Sequence, residues 1–333
     1  MNKVLITGGL GMIGSTIGEK LLSEGKEVVI VDNEHRENVS RNRARVQGAI
    51  IHKEDILHID EKSPWKHTYG EDMKDVDAII HCAANPGIPV SLENPEYDFK
   101  VNALGTLKML ELARKKDLAF IYCSTNKVYP QEFIDALNTK YADIKKWGGV
   151  ELTNEIVGGT HSPYGCSKLV GDLYCSEYFN TYGVKTVINR MSCIYGTHQY
   201  GTEEQGWIAH FIFSAIQNKT INIFGDGKQV RDCLWAEDLA KLFMIELENI
   251  DKFGGSKWNV GGGIRNTLSL LECIETIEKL SGKKIGLKYH PPRIADHKVY
   301  VSDITPLEKW WKPTVNPTEG VKRLYDWAVE ANK

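Results

Sequence analysis

The run Lys3–Thr7 (KVLIT) leads without interruption into Gly8-Gly9-Leu10-Gly11-Met12-Ile13-Gly14. A short β-branched run reads as a strand, and glycines at Gly8, Gly11 and Gly14 free the next turn of side chains where backbone must come close. Strand, tight glycine turn and helix in that order constrain the fold strongly, because the helix must return over a sheet with its amino end at the strand tip. The amide groups there suit a phosphate. A second apolar run, Val28–Val31, ends in Asp32. A carboxylate at that strand end accepts hydrogen bonds from ribose hydroxyls and repels a 2′-phosphate, so NAD is expected over NADP. Arg36 nearby works against that preference. The expected cofactor turn comprises Gly8, Gly11, Met12, Ile13, Asp32 and Asn33. The alternative is a structural turn without a ligand. Asp55-Ile56, after the next strand, either borders the adenine or makes an ordinary turn.

Further apolar runs, Ala78–Cys82, Phe120–Cys123 and Thr186–Asn189, alternate with helical stretches such as Asn102–Lys116. Unbroken apolar strands between amphipathic helices predict a buried parallel sheet, and right-handed crossovers make it an α/β, Rossmann-type doubly wound sheet. Beyond about residue 190 the alternation becomes irregular, with Gly225–Gly227, Gly261–Gly263 and Pro291–Pro292 between helices at Ser269–Leu280 and Pro317–Ala331. The expected division is a cofactor domain over 1–190 and a smaller C-terminal substrate-binding lobe over 191–333, with some chain returning to the first domain.

Net charge is −3 over 333 residues, which gives no electrostatic case for nucleic acid or an anionic membrane. No apolar stretch long enough to span a bilayer and no signal peptide is evident. The seven cysteines are scattered and show no paired metal spacing, so no metal site is expected, and reduced thiols in a cytoplasmic protein fit best.

Tyr164 and Lys168 lie four apart in HSPYGCSK, residues 161–168. Ser162 can cap a helix with Pro163 at its first position, which puts Tyr164 and Lys168 on one face. A phenol with pKa near 10 is a poor base at neutral pH; a nearby ammonium, with the positive nicotinamide ring of the expected NAD, favours its ionised form. The strand Phe120–Cys123 ends in Ser124-Thr125-Asn126-Lys127-Val128-Tyr129. Hydroxyls at the carboxyl end of such a strand lie where ligands bind.

These motifs, with His81-Cys82-Ala83-Ala84, Val101-Asn102 and Arg190–Gly196, occur in the order typical of extended short-chain dehydrogenases/reductases, which the chain resembles over nearly its whole length. The resemblance implies that Tyr164 and Lys168 serve both cofactor and catalysis and that Thr125, with Ser124 as runner-up, binds the reacting sugar oxygen. It adds Cys82, Ala83, Ala84 and Asn102 to the cofactor site, Asn102 by ordering the active-site helix, with His81 supporting nearby backbone. Related 4,6-dehydratases carry Asp-Glu directly after the threonine; Asn126-Lys127 stand there in this chain, which disfavours dehydration.

Within the family, Ser124–Tyr129, residues 161–168, Glu204–Trp207, Gly227–Asp232, Ala236–Asp238 and Asn259–Leu270 resemble the CDP-paratose 2-epimerases. Pro130, where glycine is usual, and the stretch Gln131–Gly159 depart from that pattern. The implied reaction oxidises a sugar alcohol to a ketone and reduces it from the opposite face, on bound NAD. Paratose has no hydroxyl at carbon 3, so oxidation at carbon 2 itself is the economical route.

The implied partner is a nucleotide sugar, CDP-hexose favoured, met by Asn85, Asn126, Gln205, Arg231 and Arg293. The two arginines would grip the diphosphate; surface ion pairs are their alternative. Trp207 lines the nucleotide or belongs to the lobe core. A homodimer is expected, with Leu104–Leu112 and Tyr164–Tyr182 as candidate faces. Competing readings are a UDP-hexose 4-epimerase, another sugar-nucleotide epimerase or reductase, and a non-catalytic NAD(H)-sensing protein.

Overall fold

A computed structural model describes residues 1–59, 70–130, 161–293 and 296–332 in full, and 141–143 and 146–147 as backbone. Most of the unassigned stretch 131–159 thus lies outside the described residues. The chain divides into two units, each described by itself. The first holds Met1–Val128, Pro163–Arg190 and Leu239–Trp258; the second includes Met191–Asp238 and Asn259–Lys333.

The first unit is built on a seven-stranded sheet. Its strands are β1 (Lys3–Thr7), β2 (Glu27–Asp32), β3 (Ile50–Lys53), β4 (Ala78–His81), β5 (Ala119–Thr125), β6 (Thr186–Met191) and β7 (Lys257–Val260). They lie in the order β7-β6-β5-β4-β1-β2-β3. The pairings β1–β2, β1–β4, β2–β3 and β4–β5 are parallel. Val4, Leu5, Ile6, Val29, Ile30, Val31, Ile79, Ile80, Phe120 and Ile121 have no exposed surface, which explains their unbroken apolar runs. The strand order reverses direction at β1, between β2 and β4, and ligands of such sheets bind outside the carboxyl ends of the strands at that point. Thr7, Asp32, His81 and Thr125 all end their strands on this edge.

Three helices complete the frame: α1 (Met12–Ser23), α2 (Gly105–Lys116) and α3 (Pro163–Tyr182). Before α2 the chain makes a π-helical turn over Lys100–Leu104, which buries Asn102 completely. Single π turns inside helices recur at functional sites. The buried face of α3 includes Lys168, Gly171, Asp172, Cys175 and Tyr178, spaced as one helical stripe. A Cβ at Gly171 would sit 2.3 Å from the Tyr122 hydroxyl, so glycine is what lets α3 approach β5.

Strand β7 has no counterpart in the sequence reading; it carries chain from beyond residue 239 back to the sheet edge. The second unit has its own core, formed by Tyr195, Ile212, Ile223, Trp235, Ile277 and Leu324 among others. Its terminal helix spans Pro317–Ala331, the bounds expected from sequence; Asn316 caps it and proline begins it. Among the described residues, no helix is long and apolar enough to cross a membrane.

A buried ion pair locks α3 to the sheet. Arg190 sends Nε to Asp172 Oδ2 and Nη2 to Asp172 Oδ1, both at 2.9 Å, and Ser124 Oγ donates to the same carboxylate at 2.9 Å. Removing one member strands the other charge away from water, at a cost of about 3–5 kcal/mol. Asp172→Ala is therefore expected to lower unfolding stability by about that amount in urea titrations; an unchanged midpoint would contradict this reading of the pair.

Candidate active site

The glycine turn has a separate reason for each glycine. Gly8 has φ +65°, and a Cβ there would lie 2.6 Å from the Ala83 amide nitrogen. At Gly14 a Cβ would lie 2.5 Å from the Gly8 carbonyl oxygen, so this glycine seats the helix against the turn. Gly11 differs: a Cβ would meet only Gly8 O, at 3.2 Å, so the space beside it is open for another molecule. Helix α1 starts directly after Gly11 with no side-chain cap and no acidic residue in its first turn. Its dipole and amide groups are therefore available to an anion. Met12 and Ile13 are half-buried at this end.

Asp32 accepts the Leu10 amide on Oδ2 at 3.0 Å and the Glu34 amide on Oδ1 at 2.8 Å. Burial raises its pKa, and the two amide bonds oppose that rise. Each carboxylate oxygen keeps a lone pair for a hydroxyl donor. Asn33 Nδ2 donates to Asp55 Oδ2 at 2.9 Å, so the structure brings these two expected residues together. Asp55 also caps the turn Ile56–His58, and Ile56 is buried in the core. A dinucleotide with free ribose hydroxyls fits this set.

His81 joins the ends of β1 and β4 to α2. Its Nδ1 lies 2.6 Å from Thr7 Oγ1 and its Nε2 3.0 Å from Thr106 Oγ1. Burial, then the charge of Lys168, push its pKa down to about 3, so the ring is neutral. Thr106 already donates to Asn102 O at 2.7 Å. The Thr106 hydroxyl must then accept from Nε2–H, and Nδ1 accepts from Thr7. His81 is thus a fixed staple behind Cys82, Ala83 and Ala84, the expected cofactor residues, which are half-buried.

Tyr164 lies near the start of α3, where its amide donates to Ser91 Oγ at 3.1 Å. Its hydroxyl is hydrogen-bonded to Thr125. Ser124, the runner-up, is instead committed to Asp172, which singles out Thr125 as the hydroxyl beside the phenol. Asn126 is buried next to it, with Oδ1 3.5 Å from Thr125 Oγ1.

Burial dominates the electrostatics of Tyr164 and Lys168. Burial pushes the Tyr164 phenol up to about 12; the Thr125 hydrogen bond opposes this, while Asp98 and Cys123 add to it. The Lys168 ammonium lies 4.2 Å from the Tyr122 ring centroid, a cation–π contact, and burial brings it down to about 8.

Asp98 was not evident from sequence, although its spacing of four from Asn102 is a signal. Its Oδ1 accepts Asn85 Nδ2 at 2.9 Å and Asn102 Nδ2 at 3.0 Å, and its Oδ2 accepts Ser167 Oγ at 2.5 Å. Asn102 also pins the Asn85 backbone, accepting from its amide at 2.8 Å and donating to its carbonyl at 3.0 Å. The amide nitrogen of Asn85, expected at the substrate, is thus engaged with Asp98. Ser91 carried no sequence signal.

Within the second unit, Arg231 Nη2 donates to Asp296 Oδ1 and to His297 O, both at 2.6 Å. Arg293 donates to Glu203 O at 3.1 Å and Oε1 at 3.3 Å and stacks 3.8 Å from the Phe224 ring centroid. Both arginines therefore hold acidic partners. Gln205 exchanges backbone hydrogen bonds with Thr202, and Trp207 packs against Phe211 at the lobe core. Among the described residues no cluster of three His, Cys, Asp or Glu is arranged for a metal ion.

Asp98→Asn would set an amide against three donors and leave buried groups unpaired. It is expected to lower stability by about 1–3 kcal/mol and to speed hydrogen exchange at the amides of residues 164–168. Unchanged exchange there would contradict its role in holding α3.

Residues 4–261 match the NAD dependent epimerase/dehydratase family. The CDP-paratose 2-epimerase of Salmonella typhi is 35% identical over 346 residues, covering 98% of each chain. The UDP-glucuronate 4-epimerase of Thermodesulfobacterium geofontis is 31% identical and covers 99% of this chain and 97% of its own. The structure of Bacillus cereus UDP-glucuronic acid 4-epimerase with UDP-glucuronic acid and NAD aligns with a TM-score of 0.84 at 26% identity, covering 99% of both chains. The Thermotoga maritima UDP-glucose 4-epimerase with UDP-glucose gives 0.83 at 26% identity, covering 99% of this chain and 100% of that one. With the glycine turn, Asp32 and the Thr125–Tyr164 contact, these matches show that the chain belongs to the NAD-dependent epimerase/dehydratase family, as a sugar-nucleotide epimerase with NAD as its cofactor.

Proposed function

We propose that this enzyme inverts carbon 2 of a CDP-linked hexose of the paratose type. The observation that carries the reading is the Thr125–Tyr164 hydroxyl contact followed by Asn126 and Lys127 rather than two carboxylates. Such a site can grip an alcohol and move one proton, and it lacks the acid and base for removing water. Similarity to the Salmonella typhi enzyme and the motifs shared with CDP-paratose 2-epimerases favour the CDP sugar.

Bound NAD supplies the two-electron acceptor and donor that inversion at an unactivated sugar carbon requires. Gly8, Gly11, Met12 and Ile13 would hold its diphosphate, Asp32 and Asn33 its adenosine ribose, and Asp55 and Ile56 its adenine edge. Cys82, Ala83 and Ala84 would line the path to the reacting end. Thr125 orients the sugar hydroxyl, and Tyr164 takes its proton and later returns it. A phenol held at about 12 has to come down by roughly five units to act as base near neutrality, on the order of 7 kcal/mol. Lys168 contributes to that lowering with its positive charge. Arg231 and Arg293 would exchange their carboxylate partners for the diphosphate, with Asn85, Asn126 and Gln205 near the sugar nucleotide.

A homodimer is part of the proposal. Phe99, Leu104, Leu173, Tyr174 and Tyr182 are between 38% and 54% exposed on the helices of the first unit, where pairing would cover them. A monomer in sedimentation equilibrium would contradict this.

The test is a panel of CDP-, UDP-, GDP- and dTDP-hexoses incubated in heavy water without added cofactor and followed by NMR. Carbon 2 of CDP-paratose is expected to invert without gaining deuterium, and Tyr164→Phe is expected to slow it about 100-fold or more. Turnover of UDP-hexoses alone would replace the CDP reading with a 4-epimerase. Deuterium at the inverted carbon would exclude oxidation at that carbon. Binding of NAD with no sugar turned over would favour a sensing protein.

A further inference from the structure

Two thiols meet where β4 and β5 end. Cys82 and Cys123 each follow the last paired residues of these parallel strands, His81 and Tyr122. Neighbours in register on parallel strands stand about 4.8 Å apart and present side chains on one face. The two sulfurs are 3.4 Å apart, and both cysteines are free. A disulfide needs an S–S distance of about 2.0 Å with Cα atoms 4.4–6.8 Å apart, so closure requires the sulfurs to approach by only roughly 1.4 Å. Cys82 is half-buried, whereas Cys123 is 6% exposed, so a reagent meets Cys82 first. The Lys168 ammonium favours the Cys82 thiolate.

We propose that Cys82 and Cys123 form an oxidisable dithiol, a modification site that a hydroperoxide closes to a disulfide and that thereby weakens cofactor binding. The Cys82 thiolate attacks the outer peroxide oxygen. The O–O bond breaks, and the alcohol, or water from hydrogen peroxide, leaves after taking a proton. Cys123 then attacks the Cys82 sulfur of the sulfenic acid. The S–O bond breaks, and hydroxide departs with the Cys123 proton as water. Two thiols and one hydroperoxide thus give one disulfide, one alcohol and one water.

Backbone packing couples this step to the glycine turn. The carbonyl carbon of Cys82 would lie 2.9 Å from a Cβ at Gly8, and the Ala83 nitrogen closer still, so the turn has no slack against this segment. The Cys82 amide also donates to Thr7 O at 3.0 Å. On the other strand, Thr125 follows Cys123 by two positions. A disulfide also needs its Cβ atoms about 3.5–4.5 Å apart, closer than the roughly 4.8 Å spacing of the strands, so closing it shifts one side of the cofactor turn or the strand end that carries Thr125. The hydrogen bond with the Cys123 thiol, then burial, raise the Cys82 pKa, so oxidation is slow near neutrality and speeds up by about tenfold per pH unit while the thiol stays protonated.

The consequence for NAD rests on the cofactor reading above; the oxidation itself does not. The full-length protein would be exposed to hydrogen peroxide at neutral and mildly alkaline pH, with and without excess NAD, then alkylated, digested and mapped by mass spectrometry. The expected product is a Cys82–Cys123 linked peptide, reversed by dithiothreitol, formed faster at the higher pH and slowed by NAD. Oxidised protein is expected to bind NAD about tenfold more weakly in calorimetry. In Cys123→Ala the link is lost, and Cys82 is trapped by dimedone as the sulfenic acid. Full alkylation of both cysteines after peroxide would overturn the site. So would a link at Cys193–Cys233, the other in-register cysteine pair, with none at Cys82. A Cys82–Cys123 link with unchanged NAD affinity would overturn the coupling. Reduced protein that binds no NAD would contradict the cofactor reading while leaving the dithiol intact.

Discussion

The orientation of one phenol depends on one buried carboxylate. Asp98 gathers donors from the loop after β4, from the π-helical turn and from α3, and all three bonds are 3.0 Å or shorter. Each segment holds part of the candidate site: Asn85 leads out of the strand end, Asn102 links to His81 through Thr106, and Ser167 sits between Tyr164 and Lys168. A charged acceptor in low dielectric makes such bonds strong, and leaving any member unpaired is costly. The network therefore specifies position more than it adds stability.

A second constraint opposes the first. The burial that fixes Tyr164 also makes its ionised form unfavourable, and it destabilises the charged form of Lys168. Lys168, at about 8, still carries its proton near neutrality, so the demand falls on Tyr164. Positive charge close to the phenol lowers its pKa, and the nicotinamide ring of bound NAD would bring such charge.

What could be read from sequence was local. The glycine turn, Asp32 and the Tyr164–Lys168 spacing each lie within one or two adjoining elements, where backbone geometry fixes which side chains meet. The helix at Pro317–Ala331 was legible for the same reason, as one continuous local stretch. The hidden parts depend on tertiary contacts. Asp98 reaches Ser167 across 69 positions, and Ser124 meets Asp172 across 48. Only that second contact separates Thr125 from its neighbour as the hydroxyl beside the phenol. Strand β7 escaped because Lys257 and Trp258 at its edge break the apolar pattern. The effect of burial on Tyr164 was not legible because spacing reveals a neighbouring ammonium but not the depth at which both groups are buried.

The claim that charge arrives with the cofactor can be measured directly. Ultraviolet difference titration of wild type against Tyr164→Phe isolates one phenol among the fourteen tyrosines. Without NAD, the account predicts no Tyr164 ionisation below the ordinary tyrosine value of about 10; saturating NAD should move it clearly downward. Ionisation near neutrality in the cofactor-free protein, or no movement on adding NAD, would contradict it.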